Sequence, residues 1–542
     1  MKWTQSFDLD NVVILDSWRW SANLLTVALI CLLLVTIILV YLQQMKDHIP
    51  GPTSLPLIGS LYLFRSERQL HVACNKLCKL FGPIFRLQLG SINAVVVTNA
   101  KLISEVQRKQ ELSGRASTMG FTRLINNGGK DIAFSDVSSG WKFHRKFVHA
   151  NMFQRRHLQQ AESYILTEAD VLCRDFLQYA DSRKPIDCKW NLIVAVTNVV
   201  FTTLFGKRFT YDDPKLVEWT NGSELLLKSL SSGGLLHCMP WLRGLPGFSQ
   251  KWNQVVKCQE NNWNLMGQFL KEKLDSNSHD ELNNTPLAAR MVSAAMQQME
   301  NADYESFLKV TYRESLNSDN DPTETLQPAQ IRSILMDLLG AGSDTTTHTM
   351  RWLVALLVKH SDIQERVFTE LDEAITGELT AAHRSVTPFL DAVIQETLRL
   401  YPAAPLSVPH SATTNTSLGS YSIPKDTVVL LNLYGMMRDP NVWVKPDTFD
   451  PDRFLSTDSI QKKLQQQHFM PFSAGVRACM GKHLAQMTLY LLAAKLFKTY
   501  RMEEVLEEPL DLEPQEDGEA PVAKPYRILI SKRCSSENKV AS

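Results

Sequence analysis

The sequence predicts a mainly α-helical fold with small β-sheets, preceded by one N-terminal transmembrane helix. Residues 331–357 and 386–400 have the apolar spacing of buried or amphipathic helices, whereas β-like runs such as 84–89 and 427–431 are short and few. Residues 22–42 are almost wholly apolar. About twenty helical residues, each rising ~1.5 Å, cross a hydrocarbon layer roughly 30 Å thick. These patterns together indicate a helical domain with a membrane anchor.

Changes in composition divide the chain into five segments. Pro50, Pro52 and Pro56 cannot continue the apolar helix, so the anchor is expected to end in a stiff hinge. A cleaved signal peptide is disfavoured because the apolar run is long and follows an acidic leader without a small-residue cleavage site. The expected segments are a leader at 1–21, a transmembrane anchor at 22–42, a proline-rich hinge at 43–59, one large domain at 60–531 and a tail at 532–542.

The overall charge and the cysteines exclude several classes of protein. Lys and Arg total 57, as do Asp and Glu, so the balance does not favour nucleic acid or another polyanion as a partner. The nine cysteines lack the density and paired spacing of a disulfide scaffold, which fits a reducing compartment. Cys74 and Cys78 can share a helix face, but no second pair or histidine cluster follows, so ordinary thiols are favoured over a zinc site.

Five residues near the C-terminal end follow the pattern FxxGxRxCxG: Phe472, Gly475, Arg477, Cys479 and Gly481. This pattern resembles the haem-binding loop of the cytochrome P450 superfamily, and the similarity extends from about residue 49 to residue 530. The resemblance implies haem b as cofactor, with Cys479 as the axial thiolate ligand of the iron. A buried cysteine in an ordinary glycine-containing turn would account for some of these positions but hardly for all five.

The other four residues of this loop have physical roles if Cys479 binds iron. A thiolate needs electropositive surroundings, so a tight turn at Gly475 can aim backbone N–H groups at the sulfur. Arg477 offers a permanent cation to a haem propionate. Gly481 lets the helix predicted at 483–498 approach the cofactor, and Phe472 can shield the sulfur from water. Because a thiolate ligand favours cleavage of a bound O–O bond, we expect activation of O2 rather than its storage.

Residues 340–346, GAGSDTT, lie inside an apolar helical stretch. Two glycines in a helix interior cost roughly 1 kcal/mol each relative to alanine, so a close approach of haem or substrate is expected there. The Thr345 hydroxyl can bond the Ala341 carbonyl and open the helix locally. On these residues alone, a glycine-terminated helix followed by a second helix with Asp344 or Thr345 as its N-cap is an open alternative.

By resemblance to cytochromes P450, this stretch is the distal helix above the haem. The resemblance implies that Asp344 and Thr345 are the catalytic acid and alcohol that deliver protons. It also assigns Ala341, Gly342 and Val408 to a mostly apolar substrate pocket, which would select lipophilic ligands.

Three charged residues match an interior ion-pair network of the family. Glu396 and Arg399 follow the ExxR pattern, whose i to i+3 spacing puts both charges on one helix face. Arg453 follows in the segment PDRF. A solvated surface pair is the default interpretation, but the helix is otherwise apolar. The resemblance therefore implies a structural triad rather than a catalytic one.

Further residues match the haem-propionate contacts of the family. Trp141 and Arg145 form a WxxxR pattern, whose spacing aligns an indole donor and a guanidinium. The resemblance adds Arg115 and His410, each of which would otherwise be taken for a surface group. A basic run that begins beside Trp141 is expected to dock an electron donor, although a solvated helix face would explain it equally well. This run contains Lys142, His144, Arg145, Lys146, Arg155, Arg156 and His157.

Segments such as GKDIAF at 129–134 and FGKRF at 205–209 resemble animal microsomal enzymes of the steroid 17α-hydroxylase/17,20-lyase group. The resemblance implies a monooxygenase that inserts one oxygen atom from O2 into a lipophilic, steroid-like substrate. Its electrons would come from NADPH through cytochrome P450 reductase, with cytochrome b5 as a candidate second donor. It also implies a single-pass anchor in the lipid of the endoplasmic reticulum membrane, with a lumenal leader and a cytosolic catalytic domain.

Three alternatives lie within haem-thiolate chemistry. An aryl hydrocarbon hydroxylase that metabolises xenobiotics shares much of the pattern. A peroxide isomerase needs no external electrons and commonly lacks the acid and alcohol, so Asp344 and Thr345 argue against it. A non-catalytic haem sensor is disfavoured by Thr345 and by the basic run.

Overall fold

The structure is a computed structural model of the protein. It describes residues 26–28, 31–32, 35, 49–65, 67, 69–116, 124–125, 127–232, 234–275, 286–298, 309–312, 314, 325–516 and 520–533. The predicted leader, most of the predicted anchor, the first part of the hinge and nearly all of the tail lie outside these residues. Among the residues that the structure describes, no helix is both long and apolar enough to cross a membrane.

Helices make up most of the described chain. In chain order they are α1 (Leu70–Phe81), α2 (Ala100–Arg108), α3 (Ser139–Met152), α4 (Arg155–Ser182), α5 (Lys189–Phe205), α6 (Pro214–Ser232), α7 (Gly234–Cys238), α8 (Phe248–Asp275), α9 (Leu287–Gln298), α10 (Pro328–Lys359), α11 (Ser361–Ala374), α12 (Pro388–Leu400), α13 (Leu433–Met436), α14 (Ser459–His468) and α15 (Lys482–Thr499).

Short strands form three small sheets in the described part. The strands are β1 (Ile84–Leu89), β2 (Ile92–Val97), β3 (Gly114–Arg115), β4 (His410–Ser411), β5 (Thr416–Leu418), β6 (Tyr421–Ile423), β7 (Val428–Leu431), β8 (Tyr500–Glu504) and β9 (Ile528–Lys532). The largest sheet has the order β1-β2-β7-β4-β3, and β5 with β6 and β8 with β9 form two-stranded sheets. In the largest sheet β2 and β7 are parallel, whereas Arg115 of β3 lies opposite His410 of β4 in an antiparallel pair.

Helix α10 runs through the core. It begins with Pro328 in its first turn, where the missing N–H costs no hydrogen bond, and Gln327 and Gln330 form a reciprocal capping box. Most of its residues are buried on all sides, as expected of a central helix that is apolar around its circumference. It packs against α5, where a side chain at Gly342 would meet Val200 at 3.0 Å.

The predicted fold class is confirmed for the described residues, which are mainly helical with small sheets. The helix expected at 331–357 extends over Pro328–Lys359, and the one expected at 386–400 covers Pro388–Leu400. The strand expected at 84–89 has those bounds. Apolar periodicity located these elements because each buries a face that its spacing defines.

Candidate active site

Cys479 lies between a 3₁₀ turn, Gly475–Arg477, and the N-terminus of α15. Its sulfur accepts hydrogen bonds from the backbone N–H groups of Gly481 and Lys482, which lie at the start of that helix. The pKa of Cys479 is raised above its ordinary value by burial, while these N–H groups and the guanidinium of Arg145 act to lower it. The positive end of a helix and a cation therefore already favour the thiolate.

Gly475 has a different role from the one predicted. We expected its turn to aim N–H groups at the sulfur, but the donors are Gly481 and Lys482. Gly475 has a φ of +71°, and a side chain there would come within 2.0 Å of the Gln107 carbonyl oxygen. Glycine is therefore required because the loop presses against the end of α2. Sequence reasoning missed Lys482, because its contribution comes from the backbone.

Phe472 and Gly481 flank the sulfur along the chain. The carbonyl of Phe472 accepts the N–H of Cys479 at 3.0 Å, and the half-buried ring of Phe472 packs against the main core. A side chain added at Gly481 would meet nothing closer than Phe153, at 4.0 Å. Protein packing alone thus does not require glycine at 481, which leaves the predicted close approach of a cofactor as its reason.

The side chain of Cys479 is accessible although burial is the largest influence on its pKa. Both observations are expected for a side chain that lines a recess inside the protein. Ala341 and Thr345 are likewise exposed in the middle of α10, whose neighbouring positions are mostly buried. Accessible positions within the core are where a bound group can lie.

The distal residues have the predicted local geometry in part. The Thr345 hydroxyl donates to the Ala341 carbonyl at 2.7 Å. The stretch lies within one continuous helix, Pro328–Lys359, so the alternative of a glycine-terminated helix followed by a second helix is wrong. Burial, followed by the charge of Glu224, raises the pKa of Asp344 to about 7. A carboxyl group with this pKa is suited to exchanging a proton near neutral pH.

Two of the predicted propionate residues, Arg115 and Arg477, are buried and held by backbone carbonyls. Arg477 donates to the carbonyl of Ser113 at 3.0 Å and to that of Ser135 at 2.6 Å. Arg115 donates to the Ala133 carbonyl at 2.8 Å. Burial and the charge of Arg477, and then that of Arg145, lower the pKa of Arg115, whereas the carboxylates of Asp131 and Asp136 act to raise it. The cations therefore lie close enough to repel one another.

Trp141 lies among these cations. The Cζ atom of Arg477 is 4.5 Å from the centre of its indole ring, and that of Arg145 is 5.3 Å away. Its indole N–H donates to the Ile132 carbonyl at 3.0 Å. The predicted donation from this N–H to a propionate would thus require the bond to Ile132 to be released.

The arrangement fits the carboxylates of haem b. Nη1 of Arg477 and Nε2 of His410 are buried and have no hydrogen-bond partner among the described residues, while Nδ1 of His410 is 2.9 Å from the Leu112 carbonyl. Burial and the charge of Arg115 lower the pKa of His410 to about 3. An anion beside these groups would supply the missing acceptor and offset the repulsion between the guanidiniums.

Residues 131–136 link the cations to α10, a role that the sequence did not reveal although 129–134 were noted for their resemblance. Its carbonyl groups receive the N–H groups of Trp141, Arg115 and Arg477, as described above. Its own N–H groups at Ile132 and Ala133 are accepted by Asp337 of α10 at 2.9 and 3.0 Å. The signal that could have revealed this link is the carboxylate of Asp337 between the apolar residues Met336 and Leu338 of α10.

The predicted triad is assembled in the interior. Glu396 accepts from Nε of Arg399 at 2.7 Å and from Nε of Arg453 at 3.0 Å. The side chains of Glu396 and Arg399 are completely buried. Both arginines also donate to backbone carbonyls, Arg399 to Met437 and Arg453 to Val444, each at 2.9 Å. The network therefore fixes the chain that leads towards the Cys479 loop.

The predicted pocket residues differ in what they contact. Ala341 is exposed within the core, as a pocket residue should be. A Cβ atom at Gly342 would point towards Val200 of α5, so only the backbone of Gly342 can line a pocket. The carbonyl of Val408 accepts from Nη1 of Arg115 at 2.9 Å, which places its backbone beside the cluster of cations.

Comparison with known proteins assigns the fold and the site to a family. A sequence model of cytochrome P450 matches residues 49–530. Steroid 17-alpha-hydroxylase/17,20 lyase of Rattus norvegicus is 31% identical over 517 residues, which covers 92% of this chain and 96% of the relative. The Homo sapiens protein of the same name is 31% identical over 506 residues, covering 91% and 93%.

Solved structures agree with this assignment. A zebra fish cytochrome P450 determined with progesterone superposes with a TM-score of 0.71 at 28% identity, covering 85% of this chain and 99% of that one. A second zebra fish structure, with abiraterone, gives a TM-score of 0.68 at 27% identity, covering 86% and 100%. The chain belongs to the cytochrome P450 family and is a haem-thiolate monooxygenase.

Proposed function

We propose that this monooxygenase hydroxylates a steroid-like substrate with electrons that NADPH supplies through cytochrome P450 reductase. The observation that carries the proposal is the full-length similarity to steroid 17-alpha-hydroxylase/17,20 lyases. Exposed Ala341 and Thr345 inside an apolar core support it, because such walls favour a lipophilic ligand. The basic run that includes Lys142 and Arg155 supports an acidic electron donor, with cytochrome b5 as a second candidate.

Haem b held by Cys479 would supply the iron centre at which dioxygen is activated, and a thiolate ligand favours O–O cleavage. The N–H groups at the start of α15 and the charge of Arg145 would stabilise the thiolate. Arg115, Arg477 and His410 would hold the propionates, because they present buried cations and unpartnered nitrogen atoms.

Asp344 and Thr345 would deliver protons on the distal side. With a pKa of about 7, Asp344 is partly protonated at neutral pH and can both give and regain a proton. The Thr345 hydroxyl donates a hydrogen bond to the Ala341 carbonyl, and its oxygen retains lone pairs that can accept a hydrogen bond from another donor.

The substrate class can be tested with the haem-loaded enzyme and its reductase. We expect steroids such as progesterone to displace the iron-bound water, seen as a shift of the Soret band, and to be converted to a hydroxylated product in proportion to NADPH oxidation. Binding and turnover of polycyclic aromatics but not steroids would instead indicate an aryl hydrocarbon hydroxylase. An absence of substrate-dependent NADPH oxidation would favour a sensor.

We also propose a single-pass anchor at 22–42 in the endoplasmic reticulum membrane, with the leader lumenal and the domain at 60–531 cytosolic. Apolar side chains exposed in and beyond the hinge support contact with lipid, among them Leu57 of the hinge and Trp241 of the domain, which are 76% and 55% exposed. In this topology the sequons at Asn221, Asn283 and Asn415 stay unmodified. Glycans on any of them, detected by glycosidase treatment and mass spectrometry, would contradict it.

A further inference from the structure

We propose that the start of α4 and the facing side of α9 form a binding site for a small oxyanion such as inorganic phosphate. The site consists of Arg156 and His157 in the first turn of α4 and Arg290 on α9. We refer to these three residues as the oxyanion cluster. It is separate from the haem-binding residues, although Arg156 and His157 also belong to the basic run that we propose as a docking surface for the electron donor.

Two guanidinium groups converge on one imidazole in this cluster. Nε of Arg156 lies 3.0 Å from Nε2 of His157. Nη1 of Arg290 lies 3.0 Å from the same nitrogen and 3.3 Å from Nδ1. A neutral imidazole has a single acceptor nitrogen, so it cannot satisfy both donors at full strength. The remaining N–H groups of the two arginines need an acceptor from elsewhere.

No carboxylate of the described residues neutralises these charges. Burial, the charge of Arg290 and the charge of Arg156 together lower the pKa of His157 to about 4. The pKa of Arg290 is lowered by burial and by Arg156, and Tyr164 alone acts against them. Nε of Arg290 is moreover buried and has no hydrogen-bond partner in the described part of the chain. An anion at this point would relieve the repulsion and bind the free donors.

The N-terminus of α4 adds to the positive field. Gln154, the N-cap residue, forms no side-chain capping bond, and the first turn contains no acidic residue. Basic residues in a first turn oppose the helix dipole, which favours an anion there. The N-terminus of α4 and the oxyanion cluster thus both favour an anionic ligand.

The depth of the cluster indicates the size of the ligand. His157 is only 6% exposed and Arg290 is partly buried, whereas Arg156 is exposed at the rim. A recessed imidazole is within reach of a small ion but is poorly placed to contact a carboxylate on a flat protein surface. A tetrahedral oxyanion has enough acceptor oxygens for both guanidiniums and for the helix N–H groups. Phosphate therefore fits better than an acidic protein partner.

The experiment uses the full-length, haem-loaded enzyme and inorganic phosphate as the probe. The melting midpoint is followed by the Soret band while phosphate replaces chloride at constant ionic strength and constant pH. We expect a saturable rise in the wild type, because a ligand that binds only the folded state raises its stability. Arg290→Gln and Arg156→Gln should lose this rise. Arg174→Gln, which removes an exposed arginine farther along α4, should keep it.

A second readout guards against variants that merely fold poorly. Without phosphate, Arg290→Gln should melt no lower than the wild type, because it removes an unneutralised cation. Calorimetric titration with phosphate should show one site in the wild type and none in that variant. A phosphate response that persists in Arg290→Gln, or that chloride reproduces, would refute the proposal. A larger rise with hexaglutamate than with phosphate would also refute it, and would identify a docking surface for an acidic protein.

Discussion

Cys479 experiences opposing influences on its charge state. Burial favours the thiol, while two backbone N–H groups and the guanidinium of Arg145 favour the thiolate. The thiol form prevails without a further cation, since the net pKa is above the ordinary value. Binding of iron would supply the missing positive charge and complete deprotonation. The side chain is thus prepared for a metal but does not reach the anionic state without one.

We predict that Cys479→Ser abolishes the red-shifted carbonyl band of the reduced enzyme. A hydroxyl lacks the low pKa and the soft donor that keep this ligand anionic on iron. The absorption spectrum of the reduced protein under carbon monoxide measures the change. Cys78→Ser, a substitution on α1 outside the loop, should leave the band unchanged. If Cys479→Ser retained the band, another residue would have to serve as the axial ligand.

We predict that Thr345→Ala uncouples NADPH oxidation from product formation. Because the hydroxyl is proposed to help Asp344 deliver protons, the amount of product per NADPH should fall by roughly ten-fold or more without it. Hydrogen peroxide should account for the difference, as measured by peroxidase assay. Thr349→Ala is the matched control, since its hydroxyl also bonds the carbonyl four residues back, at 3.0 Å, on the same helix. Full coupling in Thr345→Ala would refute the proposed role.

At the scale of elements, the haem-side segments are tied together by buried polar contacts rather than by long strands. The triad joins α12 to the chain around residues 437–453. The segment 131–136 joins α10 to the cations through its backbone. Irregular backbone is otherwise poorly restrained, so buried carboxylates and guanidiniums that satisfy its N–H and carbonyl groups fix its position.

We predict that Glu396→Gln destabilises the folded enzyme by about 3–5 kcal/mol, because it strands two buried guanidiniums. Urea unfolding followed by fluorescence measures the loss. Arg366→Gln is the matched control, because it breaks a bidentate salt bridge with Asp452 in which both side chains are half exposed. This variant should lose no more than ~1 kcal/mol of stability. Equal losses of stability in Glu396→Gln and Arg366→Gln would show that burial adds nothing to the stabilisation by the triad.

At the scale of the whole molecule, several titratable groups are buried with pKa values far from their ordinary ones. Burial first, and then the charges of Arg351 and Lys189, lower the pKa of His348 to about 4. The pKa of Asp344, one turn away, is raised to about 7. A histidine with a depressed pKa and an acid with a raised one have opposite effects on the dependence of stability on pH.

We predict that His348 destabilises the enzyme as pH falls. Because its pKa in the folded state lies below the ordinary value of 6.5, the unfolded chain binds a proton first, and stability is lost between about pH 6.5 and pH 4. This group alone contributes a slope of up to ~1.4 kcal/mol per pH unit in that window. His348→Gln should flatten the loss, measured by urea unfolding at a series of pH values. A loss of stability between pH 6.5 and about pH 4 that is as steep in His348→Gln as in the wild type would contradict the prediction.

The amino-acid sequence determined the features that depend on local spacing. It located α10, α12 and β1 from their apolar periodicity, and it singled out Cys479 with the four other residues of its loop. The hydrogen bond from Thr345 to Ala341 was foreseeable because it joins residues one helical turn apart. Local rules of this kind need no knowledge of the rest of the chain.

Only the tertiary structure decided which distant groups meet. Arg477 bonds Ser113, 364 residues earlier in the chain, and Asp337 holds the backbone of Ile132, 205 residues away. The contact of Gly475 with Gln107 and the convergence of Arg290 on His157 arise in the same way. Their partners are backbone groups or single side chains without a sequence signature, and they come together only when packing of the core brings their helices into contact.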